Sequence, residues 1–197
     1  MHGRAGMSWR GIAGLLWGLV LLTAAPRATS AQVISPEITV TLGARRNTTL
    51  SVTVLSGATQ TMPSIVDNAI NPFPAPVRLQ TSWNVNPGLT GTVEVVAYFL
   101  DATTALDAGG GRRIAPARVE GRMATGLPVA FTPFTGLAIG GVGTAGATLR
   151  LVSERITGLN RAATRTDDLD LRLNLVGQPA LPAGTYAGTL YIRAVTQ

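Results

Sequence analysis

Hydrophobic and polar residues alternate along much of the chain, most regularly near its C-terminus. Four polar residues there, Asp168, Asp170, Arg172 and Asn174, alternate with the leucines Leu169, Leu171, Leu173 and Leu175. A period of two puts the leucines on one face of a β-strand and the polar residues on the other. A turn at 182–184 precedes a second alternating segment, 185–194. The pattern predicts a C-terminal β-hairpin whose core face is formed by Leu169, Leu171, Leu173, Leu175, Tyr186, Leu190 and Ile192.

Seven further segments with strand-like patterns precede this hairpin. They span residues 32–42, 48–55, 77–85, 92–100, 112–123, 128–135 and 147–156. Short strands at such spacings, without a long helix, are typical of a β-sandwich. We therefore predict an all-β protein: a single immunoglobulin-like (Greek-key) β-sandwich of about nine strands over residues 32–197.

Two of the segments predict more than a strand. In 77–85, Trp83 shares a face with Val77 and Leu79, which is the pattern of a core tryptophan in immunoglobulin-like domains. The alternative is an exposed Trp83 that stacks on a ligand. The segment 92–100 is apolar on both faces, so we predict a central strand whose outer side is partly covered.

Two connections between strands carry their own predictions. Residues 56–76 contain four prolines, and we predict a crossover between the two sheets, with a binding loop as the alternative. Gly141, Gly143 and Gly146 match the GxGxxG spacing of dinucleotide-binding loops. That motif needs a helix after it, and the sequence that follows is strand-like, so we predict a flexible glycine loop.

The N-terminal region has the pattern of a secretory signal peptide. Arg4 and Arg10 precede an apolar run at 11–25, and small residues follow up to Ala31. The run is shorter than the roughly 20 residues that a membrane-spanning helix needs. We predict a signal helix at 1–31 that is cleaved near Ala31, giving a secreted, periplasmic or cell-surface protein. An uncleaved anchor is the alternative, and otherwise we expect membrane contact only through the signal segment during export.

Composition limits the chemistry of the exported part. Removing residues 1–31 removes the only His and three Arg, which leaves 13 Arg against 10 acids, a net charge of +3. That charge is small and scattered, so we expect no nucleic-acid partner. Without Cys or His the remaining chain has no Ser-His-Asp triad, thiol nucleophile or imidazole metal ligand. We predict no enzyme activity, no cofactor and no metal.

Two small groups of side chains keep other functions open. Asp167, Asp168 and Asp170 cluster, and carboxylates can hydrolyse glycosides or bind Ca²⁺. We interpret Asp168 and Asp170 as the solvent face of a strand, with Arg172 within reach as their partner. Tyr98 and Tyr191 fall on outward-looking faces by alternation, which is the placement of a glycan-binding platform.

The C-terminal run Pro182, Ala183, Gly184, Thr185 and Tyr186, with the strand after it, resembles the ending of pilin-like and spore-coat-like β-sandwich domains of exported bacterial proteins. The resemblance covers about fifteen residues and implies a sandwich that assembles on a cell surface. Subunits of that kind borrow a strand from a neighbour's N-terminal extension, which would make 32–42 a donor strand; an ordinary first strand is the alternative. Many fimbrial subunits have a disulfide, whereas this chain has no Cys.

Taken together, these patterns predict a non-catalytic exported structural or interaction protein. It is expected to associate with itself or with a protein partner, as a surface or pilin-like subunit. The alternative is a carbohydrate-binding β-sandwich module with a glycan partner at Tyr98 and Tyr191.

Overall fold

A computed structural model describes residues 49–85 and 91–197. These residues form eleven β-strands, one short 3-10 turn at Pro116–Arg118 and no α-helix. The strands are β1 (Thr49–Ser56), β2 (Ile70–Pro72), β3 (Val77–Asn84), β4 (Gly91–Tyr98), β5 (Leu106–Asp107), β6 (Arg113–Ile114), β7 (Val119–Met123), β8 (Thr132–Pro133), β9 (Thr148–Ile156), β10 (Ala162–Asn174) and β11 (Tyr191–Thr196). The prediction of an all-β protein is confirmed. The signal helix at 1–31 and the strand at 32–42 lie outside the described residues.

The strands form two antiparallel sheets that share one core. Sheet I has the order β1-β3-β10-β7-β8, with β2 paired to the end of β10, and sheet II has the order β11-β4-β9. β5 and β6 form a separate two-stranded ribbon. Apolar side chains of both sheets, such as Leu50, Trp83, Val95 and Leu151, belong to one buried cluster. Two sheets that bury their facing sides against each other make a β-sandwich.

Trp83 lies in this cluster with 5% of its surface exposed, on β3 between β1 and β10. Its indole Nε1 donates a hydrogen bond to the carbonyl oxygen of Asn160 at 2.8 Å. A buried indole N–H needs such a partner, so the Asn160 loop fixes the ring in place. The structure thus supports the core interpretation of Trp83 and leaves it no surface for ligand stacking.

β4 is the central strand of sheet II, as its two apolar faces predict. Val93, Val95 and Ala97 face the common core, while Val96 and Tyr98 lie in a second buried cluster on the other face. The glycine-containing loop 136–147 contributes Val142 and Ile139 to that second cluster. This loop therefore covers part of the outer side of sheet II, and a strand rather than a helix follows it.

The predicted C-terminal hairpin is wrong. β10 belongs to sheet I and β11 to sheet II, so the connection 175–190 crosses between the sheets. β10 also begins at Ala162, inside what the sequence predicts as a polar connection. Alternation identifies which face of a strand is buried, but it does not identify the strand's neighbour. Here Asp107 exchanges backbone hydrogen bonds of 2.8 and 3.1 Å with Ala187, which holds 186–190 along the β5-β6 ribbon.

The predicted core residues of this region differ in depth. The deeply buried ones are Leu169, Leu171, Leu173, Leu175 and Ile192. Tyr186 and Leu190 are half-buried and pack against the margin of the core. The Tyr186 hydroxyl reaches back to the carbonyl oxygen of Pro182 at 2.9 Å. These two lie in the connection and not in a strand, which is why they are less deeply buried.

The connections that join the long strands cross repeatedly between the sheets. From β3 onward, the long strands β3, β4, β7, β9, β10 and β11 lie alternately in sheet I and sheet II. A constant-type immunoglobulin domain instead joins two consecutive strands within its second sheet. The term immunoglobulin-like therefore describes the layers here and not the strand order.

The connection 57–76 is not the predicted crossover, because β1 and β3 that flank it are neighbours in sheet I. It contains β2, whose Asn71 is buried and makes three hydrogen bonds with the backbone of Val66 and Ala69. A buried amide that satisfies backbone groups in this way stabilises an irregular segment. The segment thus follows a defined path over the end of sheet I.

Candidate functional site

Two edge strands, one from each sheet, lie in contact on one side of the sandwich: β1 ends sheet I and β11 ends sheet II. Among residues 49–85 and 91–197, β1 pairs only with β3, and β11 pairs only with β4. We call residues 49–56 and 191–196 the β1/β11 side. The second edge of each strand presents backbone N–H and C=O groups that fit the backbone of another strand.

β1 has the composition of a strand that pairs readily. Its sequence, TLSVTVLS, has no charge and no proline, and Val and Thr favour extended backbone. Leu50 and Val52 are buried, whereas Ser51 and Thr53 lie half-buried on the outer face. A register shift interrupts its pairing only at the end, between Val54 and Ser56. β11 carries a single charge, on Arg193.

The opposite side of the sandwich, formed by β8 and β9, differs in each of these properties. β8 has only two residues, one of them Pro133, which lacks an N–H. β9 carries the charged residues Arg150, Glu154 and Arg155, and Leu151 bulges out of register with β4. Short edge strands, proline, charges and bulges all hinder pairing with a further strand. Edge protection is therefore concentrated on the β8/β9 side.

Tyr98 and Tyr191, the predicted platform, lie opposite each other on the outer face of β4 and β11. Their rings stack on each other, with centroids 5.6 Å apart and an angle of 27°. Tyr98 is only 6% exposed, and Tyr191 is half-buried over it. The two rings thus form a packed pair, and a glycan-binding role stays a prediction that now depends on Tyr191 alone.

The predicted acidic cluster is divided between two faces of β10. Asp168 and Asp170 lie on the outer face, where Asp170 pairs with Arg122 at 2.9 Å and Asp168 lies 3.9 Å from Arg78. Asp167 lies on the inner face and is 3% exposed. Because alternate residues of a strand point to opposite faces, the three carboxylates do not converge on one point.

The predicted partner of these acids, Arg172, belongs to another group, so that prediction is wrong. Arg172 donates to Glu120 at 2.6 Å, and Asn174 donates to the same carboxylate at 2.8 Å. The reason is register: the Cα of Arg172 is paired with that of Glu120 on the neighbouring strand β7. The guanidinium of Arg172 also lies 4.0 Å from the ring centroid of Phe131.

Asp167 forms a buried ion pair with Arg165 that our sequence analysis does not predict. Arg165 donates to its two oxygens at 2.7 and 2.6 Å, and the Thr125 hydroxyl donates at 2.8 Å. The hydrogen bonds to Asp167 raise the pKa of the Arg165 guanidinium above its ordinary value. Arg165 also donates to the carbonyl oxygen of Thr125 at 2.9 Å and lies 3.7 Å from Glu154 of β9. The group joins β10 to the turn after β7 and to β9.

One signal in the sequence points to this ion pair. Asp167 precedes Leu169 by two residues, so it occupies the same inward-facing register as the leucines. A carboxylate in that register is buried and needs a cation, and Arg165 stands two residues before it on the same face. The arrangement has the properties of a structural ion pair, since every oxygen of Asp167 has a hydrogen-bond donor.

The described part of the chain lacks both metal-ligating clusters and membrane-spanning helices. It contains no group of three or more His, Cys, Asp or Glu residues that could hold a metal ion. No helix among residues 49–85 and 91–197 has the length and apolar character needed to span a membrane.

No protein-family model, no curated protein and no solved structure matches the sequence or fold of this chain.

Proposed function

We propose that this protein is a non-catalytic, exported structural or interaction protein that associates with itself through the β1/β11 side. The observation that carries the proposal is the asymmetry of the edges. The β8/β9 side has proline, charges and a bulge, whereas β1 has no charge and no proline over its eight residues. Export near Ala31, to the periplasm, the cell surface or the medium, is part of the proposal and rests on the N-terminal sequence.

The mechanism that fits this side is addition of a strand. A strand from a second copy pairs its backbone with an edge strand, and its alternate side chains pack against the apolar margin of the core. Residues 32–42 have the matching pattern, because Ile38, Val40 and Leu42 share one face and Thr39 and Thr41 share the other. The same use of an N-terminal segment is implied by the resemblance of 182–186 to pilin-like domains.

Charge placed on β1 tests the proposal. Thr53 and Gln80 are paired across β1 and β3, so Thr53→Lys and Gln80→Lys place the same charge at the same level of the same outer face. A lysine on an edge strand opposes strand addition, whereas one on an interior strand does not. The full-length gene product, purified after export, is expected to form oligomers by light scattering; Thr53→Lys lowers their size, and Gln80→Lys does not. A monomeric wild-type protein contradicts the proposal.

Cysteine trapping distinguishes exchange between copies from a strand within one copy. The chain has no Cys, so single substitutions give a clean background. Thr41→Cys and Thr53→Cys proteins, mixed and oxidised, are expected to form a mixed disulfide dimer if residues 32–42 pair with β1 of another copy. The outcome that contradicts exchange is an internal disulfide in the double variant Thr41→Cys/Thr53→Cys together with no mixed dimer from the single variants. That result shows that 32–42 is an ordinary first strand.

A further inference from the structure

The outer faces of the two sheets differ in their balance of charge. On the strands of sheet I, the outer face carries three arginines and three acids, and all of them are in ion pairs. These pairs are Arg78–Asp168, Arg122–Asp170 and Arg172–Glu120. On the strands of sheet II, the outer face carries three arginines against one acid. They are Arg150, Arg155, Arg193 and Glu94. Only the second face has surplus positive charge, which attracts an anionic partner.

Two of the charges on sheet II neutralise each other. The Nε of Arg150 lies 3.1 Å from Glu94, whose other oxygen accepts a hydrogen bond from Ser153 at 2.8 Å. Glu94 is only 4% exposed, so its carboxylate is covered by this pair. The surplus charge therefore belongs to Arg155, near the end of β9, and to Arg193, in the middle of β11. Neither of them has an ion-pair partner among the described residues.

Arg193 is held in place by packing. It is paired with Val96 of β4, and Val195 follows it on the same face; both valines are fully buried. The Nε atom of Arg193 is covered as well and makes no hydrogen bond. Because the side chain as a whole is half-buried, its two terminal nitrogens are the part of the guanidinium that reaches the surface. Within 49–85 and 91–197 these nitrogens have no acceptor, so their N–H donors are unused.

An aromatic ring lies beside this guanidinium on β11. Tyr191 precedes Arg193 by two residues, so the two side chains project from the same face, about 7 Å apart along the strand. The Tyr191 ring is stacked on Tyr98, which fixes its orientation, and part of it reaches solvent. Its hydroxyl makes no hydrogen bond within the part of the chain that the structure describes. An apolar ring face, a free hydroxyl and a free guanidinium are thus presented together.

We propose that the outer face of sheet II binds an acidic polysaccharide, with the carboxylate of one uronate unit on Arg193 and its sugar ring beside Tyr191. A guanidinium binds a carboxylate through two parallel hydrogen bonds, and the C–H groups of a sugar pack on an aromatic ring. A free phosphate or a lipid head group satisfies Arg193 but makes no use of Tyr191. This site goes beyond self-association, because it uses the face of sheet II and not the edge of a strand.

Calorimetric titration of the full-length gene product with a short oligogalacturonate at low salt tests the proposal. We expect saturable binding, weakened about tenfold by Arg193→Gln. Arg155→Gln is the matched control, because it removes the same charge from the same face at a level of β4, Thr92, away from Tyr191. It is expected to weaken binding by less than about twofold, the effect of a distant screened charge. An equal loss for both variants shows diffuse attraction to a positive face and overturns the role of Arg193.

The carboxylate and the ring are tested separately. The methyl ester of the same oligogalacturonate has no charge, so it is expected to bind wild type about tenfold more weakly and to bind Arg193→Gln as it binds wild type. Tyr191→Leu keeps an apolar cover over Tyr98 but removes the aromatic face, and it is expected to weaken binding of the acid. Tyr191→Phe keeps the ring and decides this arm where Tyr191→Leu does not fold: it is expected to retain most of the affinity.

Three results overturn the site. The first is absent or non-saturable binding of the oligogalacturonate, and the second is equal affinity for the acid and its methyl ester. The third uses vesicles of phosphatidylglycerol. If these bind in a way that depends on Arg193 while the oligogalacturonate does not, the partner is a phosphate of a membrane surface and not an acidic sugar.

Discussion

β1 and β9 are edge strands of similar length, eight and nine residues, on opposite sides of one sandwich. Both bury an apolar face in the same core, with Leu50 and Leu151 fully buried. Yet β9 carries three charged residues and a bulge within its length, whereas β1 carries no charged residue and its register shifts only near its end, between Val54 and Ser56. Both strands pack against the same core, so packing does not explain why only β9 is charged. The difference in charge affects how readily each edge pairs with a further strand.

A charge placed in the core that both sides of the sandwich share is expected to have the largest effect on stability. Leu169 is fully buried on β10 between β3 and β7. Leu169→Asp places a carboxylate there without a partner and is expected to lower the free energy of unfolding by more than about 4 kcal/mol. Urea denaturation of the purified protein measures the change. Thr166→Asp, exposed on the same strand, serves as control and is expected to stay within about 0.5 kcal/mol of wild type.

The buried ion pair near the β8/β9 side gives the next largest effect. Asp167→Ala removes three hydrogen bonds and leaves Arg165 without its main partner, which we expect to cost about 2 kcal/mol. The neighbouring Asp168→Ala breaks only an exposed pair at 3.9 Å, worth at most about 0.5 kcal/mol. Equal urea midpoints for the two variants would show that the ion pair does not stabilise this side.

Removing the proline of β8 tests how strongly this residue protects its edge from pairing. Pro133→Thr gives β8 a backbone N–H and a residue that favours extended backbone. Because β8 has only two residues and β9 keeps its charges, we expect a small rise in self-association at high protein concentration. Analytical ultracentrifugation measures it beside Thr53→Lys, which acts in the opposite direction on β1. A rise larger than the fall caused by Thr53→Lys would reverse the ranking of the two sides.

The smallest expected effect lies in the loop after β4. The backbone N–H and the hydroxyl of Thr103 donate to Asp101 and lower its pKa below the ordinary 3.8. A carboxyl whose pKa is lower in the folded state stabilises the fold at pH values above its ordinary pKa. This stabilisation is lost as the pH falls through the lowered pKa. Asp101→Ala is thus expected to lower the Tm slightly at neutral pH. The difference should vanish in acid; a constant difference would rule out ionisation as its cause.

The sequence predicts strands well where one face is buried. β3, β4 and β9 begin and end within two residues of their predicted bounds, because alternation or a two-sided apolar run marks a strand directly. Strand partners are not marked in this way. β10 and β11 follow each other in sequence, and their patterns predict a hairpin. In the structure the connection between them is hydrogen-bonded to Asp107 at Ala187, and β11 joins sheet II instead of sheet I.

The candidate sites were predictable only in part. The uncharged composition of β1 is visible in the sequence, but its position at an edge depends on strand order. Tyr98 and Tyr191 do lie on the face away from the common core, as alternation predicts, but alternation does not show that one ring packs over the other.

The alternation of the long strands between sheets has a consequence for how the chain folds. From β3 onward no two consecutive long strands among those described pair with each other. Contacts between residues distant in sequence must therefore form before the sandwich closes, and such topologies fold slowly. β10 and β11 are made after the other described strands, and each pairs with strands made much earlier. β1 has only β3 as a partner among the described strands, and β3 lacks its second partner until β10 is made. During this delay the apolar face of sheet I is most open to a neighbouring copy.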